Sequence, residues 1–131
     1  MKIRDSKGFT LIELVLVIAI LGILAVTALP KFMDLSTEAK QSSRDGVIGA
    51  VRSGIALYRA NDMVTNGGTG SYPASLDANA DASACATCFS TILANGISDS
   101  SWTRTNATTY TYNDGTTTTT YTYSSANGTF Q

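Results

Sequence analysis

KGFTLIE, residues 7–13, leads directly into a long apolar segment and decides the fold of this chain. The short leader before it is basic, because it carries Lys2, Arg4 and Lys7 against the single acid Asp5. Basic residues that precede an apolar run are retained on the cytoplasmic side of a membrane. The leader has no apolar region of its own, so it differs from an ordinary secretory signal.

The apolar segment is long enough to cross a membrane. From Phe9 to Leu29 only Thr10, Glu13 and Thr27 are clearly polar, and about 20 apolar residues are enough for a spanning helix. Because this run begins only after Gly8, a cut at Gly8 would leave the whole hydrophobic helix on the mature protein.

Glu13 places a carboxylate inside this segment. A charge within a membrane helix costs on the order of 3 kcal/mol, so a functional role is the default interpretation. The alternative is a residue near a helix start that is stabilised by the helix dipole and extends to the headgroups.

The Gly8–Phe9 junction, followed by an apolar helix with Glu13 near its start, resembles the processing site and assembly helix of type IV pilins. This family includes the pseudopilins of type II secretion systems. The resemblance covers the chain from residue 1 to about residue 60. It implies cleavage by prepilin peptidase between Gly8 and Phe9, N-methylation of Phe9, and pairing of the Phe9 amine with Glu13 of a neighbouring subunit in a helical filament.

The family resemblance also implies that the helix loosens between Gly22 and Pro30 in filaments. Gly and Pro are the poorest helix formers, which suits such a change. The alternative is that Gly22 allows close helix packing in lipid and that Pro30 marks the membrane exit. A finer resemblance, to the mannose-sensitive haemagglutinin branch, rests on residues 30–35 (PKFMDL) with Ala39, Gly46, Val47 and Ala50.

Length and composition exclude several classes of function. A chain of 131 residues allows one modest soluble domain beside the membrane helix. The formal net charge is −1, and the dispersed bases form no footprint for nucleic acid. There is no His, and we find no nucleophile–base pair, phosphate-binding loop or zinc-spaced cluster. We therefore predict a protein that is not an enzyme and needs no cofactor.

The pattern changes to an amphipathic helix after residue 33. One apolar stripe is formed by Val47, Ile48, Val51, Ile55 and Tyr58. We predict one helix from Phe9 to near Asn61, divided into a membrane and filament-core part, 9–33, and a spine, 34–62. The cleaved leader is 1–8, and a globular head occupies 63–131.

The head is predicted to be an antiparallel β-meander, which makes the fold class α+β. Residues 65–84 have the composition of an irregular connection, and the spacing of apolar residues in 85–95 predicts a short helix closed by Gly96. Strands are expected at 108–112, 117–123 and 129–130, with turns at 113–115 and 125–128. Tyr residues alternate with Thr in these strands, and this favours a sheet over a disordered tail for the Thr run 116–120.

Cys85 and Cys88 form a C-x-x-C motif. A head outside the cytoplasm favours a disulfide, although the loop it closes is very small and gains little entropy. Free thiols are the alternative, since the thioredoxin-like setting of a redox motif is absent.

Asp77, Asn79 and Asp81 have the opening spacing of a calcium loop, which makes them a weak calcium candidate. The expected Gly is replaced by Ala82, and the closing Glu by Cys88.

The leading hypothesis is a type IV pilus subunit that serves adhesion or motility. Its implied partners are other copies of the chain, prepilin peptidase and an inner-membrane assembly platform. The protein would lie in the inner membrane before assembly and in an extracellular pilus afterwards. The alternatives are a pseudopilin in a periplasmic filament of a type II secretion system, and a membrane-tethered binding module that does not polymerise.

Overall fold

A computed structural model describes residues 8–131, so residues 1–7 of the predicted leader lie outside the described residues. The described chain contains one helix followed by a sheet of five strands. The elements are α1 (Leu11–Asn66), β1 (Ser83–Cys88), β2 (Ile97–Asn106), β3 (Thr109–Asn113), β4 (Thr118–Ser124) and β5 (Thr129–Phe130). The predicted α+β class is confirmed.

The chain divides into two compact units, one ending at Glu38 and one formed by Ala39–Gln131. In the first unit, α1 is long and apolar enough to cross a membrane by length and composition. Its large apolar side chains are exposed, as illustrated by Leu11 at 81% and Ile12 at 71%. The helix continues through Gly22 and Pro30. The predicted loosening concerns the filament and stays a prediction, as do the predicted domain boundaries.

In the second unit, one face of α1 is buried. Ile48, Val51 and Ile55 carry this face, as the apolar stripe predicts. Gly54 also belongs to it, because a Cβ there would lie only 2.9 Å from the carbonyl oxygen of Ile92. The helix ends at Asn66, five residues later than predicted, and Gly67 follows in the left-handed conformation with φ 72°.

The five strands follow one another across an antiparallel meander in the order β1-β2-β3-β4-β5. The register sets Trp102 opposite Tyr112 and Tyr110 opposite Tyr121. Because side chains alternate between the two faces of a strand, this register collects the aromatic rings on one face. The buried rings are Phe89, Trp102, Tyr110, Tyr112, Tyr123 and Phe130. Tyr121 is only partly buried and stacks on Phe130, with ring centroids 5.6 Å apart.

The predicted short helix at residues 85–95 is wrong. Residues 83–88 form β1, and turns occupy residues 89–95. Phe89 has φ 63°, which ends regular structure there, and its carbonyl accepts bonds from the amides of Ile92 and Leu93. The spacing of apolar residues that predicted a helix is therefore explained by a single turn. The sequence pattern also missed β1 and the whole of β2, because small and polar residues dominate both segments.

The turns and strands predicted after residue 108 are confirmed. The Thr run enters β4, whose residues Thr118–Thr120 pair with β3. At the preceding turn, the buried Asp114 carboxylate accepts hydrogen bonds from the backbone amides of Thr116 and Thr117 at 2.8 and 2.7 Å. These bonds hold the pKa of Asp114 well below its usual range. The turn is therefore an ordered part of the head.

Candidate assembly site

The cleavage junction predicted from the sequence lies just before α1. Gly8, Phe9 and Thr10 are not helical, and all three residues are exposed. A peptidase needs an accessible, unstructured peptide bond, and the bond between Gly8 and Phe9 meets that need. The local structure is therefore compatible with the predicted cut, which stays a prediction.

Glu13 caps the first turn of its own helix. Its Oε2 accepts hydrogen bonds from the Thr10 amide and from the Thr10 hydroxyl, each at 2.9 Å. In return, the Glu13 amide donates to Thr10 Oγ1 at 3.3 Å. This reciprocal arrangement is a capping box, which satisfies amides that a helix start leaves without partners.

Thr10 is therefore a site residue that our sequence interpretation overlooked. The signal was present, because residues 10–13 (TLIE) match the T-x-x-E spacing of a capping box directly before an apolar run. The capping box agrees with the alternative interpretation of Glu13, in which this residue is stabilised at the start of its own helix. It leaves Glu13 Oε1 with no hydrogen bond within residues 8–131.

The surroundings of Glu13 explain why a second role remains open to this carboxylate. Its neighbours Leu11, Ile12 and Leu14 are exposed by at least 60%, so Glu13 and Thr10 form a small polar spot on a mainly apolar surface. Any partner that covers this surface removes water from Glu13. Desolvation makes a carboxylate costly unless a cation accompanies it.

A second polar cluster lies inside the head, around Asp77. Its Oδ2 accepts hydrogen bonds from the Tyr110 hydroxyl at 2.8 Å and from the Phe89 amide at 3.0 Å. Its Oδ1 lies 3.1 Å from Arg104 Nε in an ion-pair contact that lacks hydrogen-bond geometry. Asp77 and Arg104 are both buried. Burial and the neighbouring Asp77 carboxylate raise the pKa of Tyr110.

The three calcium candidates are brought together around this arginine. Arg104 Nη1 donates to Asp81 Oδ1 at 2.7 Å and to the carbonyl oxygen of Asn79. The guanidinium thus supplies a positive charge to both carboxylates and to the amide residue between them. This arrangement favours an internal ion cluster over a calcium site. Arg104 was missed because the sequence analysis predicted no strand at 97–106 and because Arg side chains are usually exposed.

Cys85 and Cys88 form a disulfide, as predicted, with Cα atoms 5.0 Å apart. Both residues are buried, and the bridge closes the end of β1. It constrains one local loop, as its three-residue separation requires.

Comparison with known proteins adds to this geometry. The model of the prokaryotic N-terminal methylation motif matches residues 3–29. The type IV narrow pilus major component PilA5 of Thermus thermophilus is 52% identical over 52 residues, which are 40% of this chain and 45% of that protein. The type IV major pilin protein PilE1 of Neisseria gonorrhoeae is 45% identical over 56 residues, 43% of this chain and 34% of that protein.

A secretion protein is similar as well. The type II secretion system core protein G of Pseudomonas aeruginosa is 37% identical over 63 residues, 48% of this chain and 44% of that protein. The chain thus spans less than half the length of each of these curated relatives. No solved structure matches the chain.

An apolar N-terminal helix followed by an antiparallel sheet gives an α+β, pilin-like fold. The methylation motif and the pilin relatives show that the N-terminal part of this chain is similar to type IV pilins. The resemblance to the mannose-sensitive haemagglutinin branch stays a prediction.

Proposed function

We propose that this chain is a structural subunit of a type IV pilus, assembled through the N-terminal part of α1. The observation that carries the proposal is the combination of a methylation motif at residues 3–29 with an apolar helix whose side chains are exposed. An apolar surface of this extent is unfavourable in water and is expected to be buried against another apolar surface. Lipid buries it before assembly, and neighbouring copies of the chain bury it in the filament.

Processing prepares the helix for assembly. Prepilin peptidase cuts between Gly8 and Phe9, and the new Phe9 amine is methylated. The chain waits in the inner membrane and is then transferred by an assembly platform into an extracellular pilus that serves adhesion or motility.

Glu13 selects the axial position of the incoming subunit. Its free Oε1 receives the Phe9 amine of a neighbouring copy, while Oε2 remains in the capping box with Thr10. In a low-dielectric layer an unpaired charge costs about 3–5 kcal/mol, so subunits placed without this contact are disfavoured.

The test compares sheared surface filaments from cells that express the full chain or its Glu13→Ala variant. Intact-mass analysis of the wild-type filament should give a subunit that begins at N-methylated Phe9. Glu13→Ala should be processed and inserted at wild-type levels but should yield far fewer filaments. A filament subunit that retains residues 1–8, or wild-type yields from Glu13→Ala, would contradict the proposal.

A pseudopilin of a type II secretion system is the second candidate, favoured by the relative named core protein G. Both candidates use the same N-terminal half. Loss of secreted enzymes without loss of surface pili, after deletion of this gene, identifies the second function.

A further inference from the structure

Two hydrogen bonds join α1 to the end of β3 at Lys40. The Tyr112 hydroxyl donates to the Lys40 carbonyl oxygen at 2.9 Å, and Lys40 Nζ donates to the Asp114 carbonyl oxygen at 2.8 Å. The partners are 72 and 74 positions apart in the sequence, and all three residues belong to the second unit. One residue of the helix thus donates one hydrogen bond and accepts another across the contact with the sheet.

These two bonds lie beyond the apolar contact between α1 and the sheet. Ile48 is the first buried residue of α1, and none of residues 39–46 is buried. Lys40 lies eight residues before Ile48, which is about 12 Å along a helix. Within residues 8–131, every hydrogen bond between residues 39–46 and the sheet involves Lys40. The hydrogen bonding of this stretch of helix to the sheet therefore depends on one residue.

The groups that contact Lys40 are fixed by the sheet itself. The Tyr112 ring is buried and lies 5.1 Å from the ring of Trp102, which is buried as well. At the turn after β3, the Asp114 carboxylate accepts hydrogen bonds from the amides and hydroxyls of Thr116 and Thr117. The hydroxyl and the carbonyl oxygen that meet the helix are therefore positioned without help from the helix.

A lysine on a helix surface is usually solvated, and a single exposed contact of its ammonium group contributes little. Lys40 differs because its own carbonyl oxygen is also bonded, by a hydroxyl on a buried ring. If the helix opened at Lys40, the Tyr112 hydroxyl would lose this partner, and leaving a partly buried polar group without a hydrogen bond is costly. Opening of the helix at this point is therefore opposed by both bonds together.

Helix opening spreads easily along a chain once it has begun. Starting an open segment is costly, whereas each further residue adds or removes only one backbone hydrogen bond. Opening that began before residue 39 would therefore extend toward the buried core unless some residue made the next step more costly. Lys40 is such a residue, because opening there breaks two long-range hydrogen bonds as well.

We infer that Lys40, Tyr112 and Asp114 form a polar clamp that stops helix opening from spreading into the second unit. The inference goes beyond the proposed function, because it concerns the single chain and needs no filament. Its consequence for a filament is that loosening of the helix between Gly22 and Pro30, as predicted from the sequence, would leave the packed core of the second unit unchanged.

The experiment measures amide hydrogen exchange, residue by residue, in the full chain in detergent micelles. Lys40→Met keeps the apolar stem of the side chain, and Tyr112→Phe keeps the buried ring. The double variant should exchange the amides of residues 41–46 about tenfold faster than the wild type, because two hydrogen bonds of ordinary strength are lost. Each single variant should show a smaller increase.

Arg52→Met is the matched control. Arg52 Nε also joins α1 to a carbonyl oxygen of the sheet, that of Phe130, at 3.0 Å. However, Arg52 follows the fully buried Val51, where the apolar core already holds the helix. This variant should leave the exchange of residues 41–46 at the wild-type rate.

The exchange of β3, Thr109–Asn113, shows whether an effect is local. It should stay at the wild-type rate in every variant, and faster exchange there would mean that the whole unit is loosened, which contradicts a local clamp. Wild-type exchange of residues 41–46 in the double variant would overturn the inference, and so would an equal increase in Arg52→Met. None of these results depends on filament assembly, so failure of the clamp leaves the proposed function intact.

Discussion

The two units of this chain differ in the burial of their apolar side chains. Up to Glu38, the large apolar side chains of α1 are exposed. From Ala39 onward, six aromatic rings are buried with Ile48, Val51 and Ile55 between the helix and the sheet. The difference shows that the second unit buries an apolar core of its own, whereas the apolar side chains of the first unit stay exposed in the single chain.

Polar groups follow the same division. In the head, the buried Asp77 carboxylate is satisfied by Arg104, Tyr110 and Phe89. Within residues 8–131, Glu13 is hydrogen-bonded only in its own first turn. The buried Asp77 carboxylate is therefore satisfied inside its own unit, whereas Glu13 keeps one carboxylate oxygen without a hydrogen bond in that part of the chain.

Removing residues 1–38 gives the largest expected effect. We expect this truncation to abolish filament formation. The second unit, residues 39–131, should stay folded, because its buried core lies wholly within that unit. Electron microscopy tests whether filaments form, and thermal melting of purified residues 39–131 tests whether this unit is folded. Filaments from the truncated chain would show that residues 39–131 suffice for assembly. They would contradict the view that assembly depends on the exposed apolar side chains of the first unit.

Arg104→Met tests the internal ion cluster. It leaves the buried Asp77 carboxylate without its cation and should reduce the free energy of unfolding by about 3–5 kcal/mol. Arg44→Met is the matched control, because it removes the exposed contact with Asp45 and should cost about 1 kcal/mol or less. Denaturant unfolding of the head measures both variants, and equal losses would contradict a structural role for Arg104.

Tyr112→Ala and Tyr121→Ala probe the covered face of the sheet. Tyr112 is 3% exposed, so its truncation should cost about 3 kcal/mol. Tyr121 is only partly buried and should cost less. Thermal melting of the head ranks the two variants. Unchanged melting of both would show that the sheet lacks a packed core.

Alkaline pH gives the smallest expected effect. Burial raises the pKa of Tyr123 to about 12. The folded state therefore favours the neutral phenol, and the stability that this contributes is present below pH 10 and is lost as pH rises from about 10 to 12. The unfolding free energy of residues 39–131 should fall over that range. Tyr123→Phe should make the fall shallower, and the raised pKa of Tyr110 should account for part of what remains. An equally steep fall in that variant would assign the effect to other groups.

Local patterns predicted much of this structure. The Gly8–Phe9 junction, the apolar run and the seven-residue spacing of Ile48 and Ile55 depend only on neighbours within a few turns. Strands β3 to β5 were also predictable, because Tyr alternates with Thr and the turns between them have characteristic residues. The helix at 85–95 was predicted wrongly, since spacings of three and four residues fit one tight turn as well as a helix.

The sequence by itself determined the long apolar helix, the buried face of its second half and the order of the last three strands, because these follow from periodicity and turn chemistry. Only the tertiary structure decided that Arg104 joins Asp77 and Asp81, which are distant in sequence. Burial and long-range pairing depend on the whole fold, so the pattern of neighbouring residues could not reveal this ion cluster.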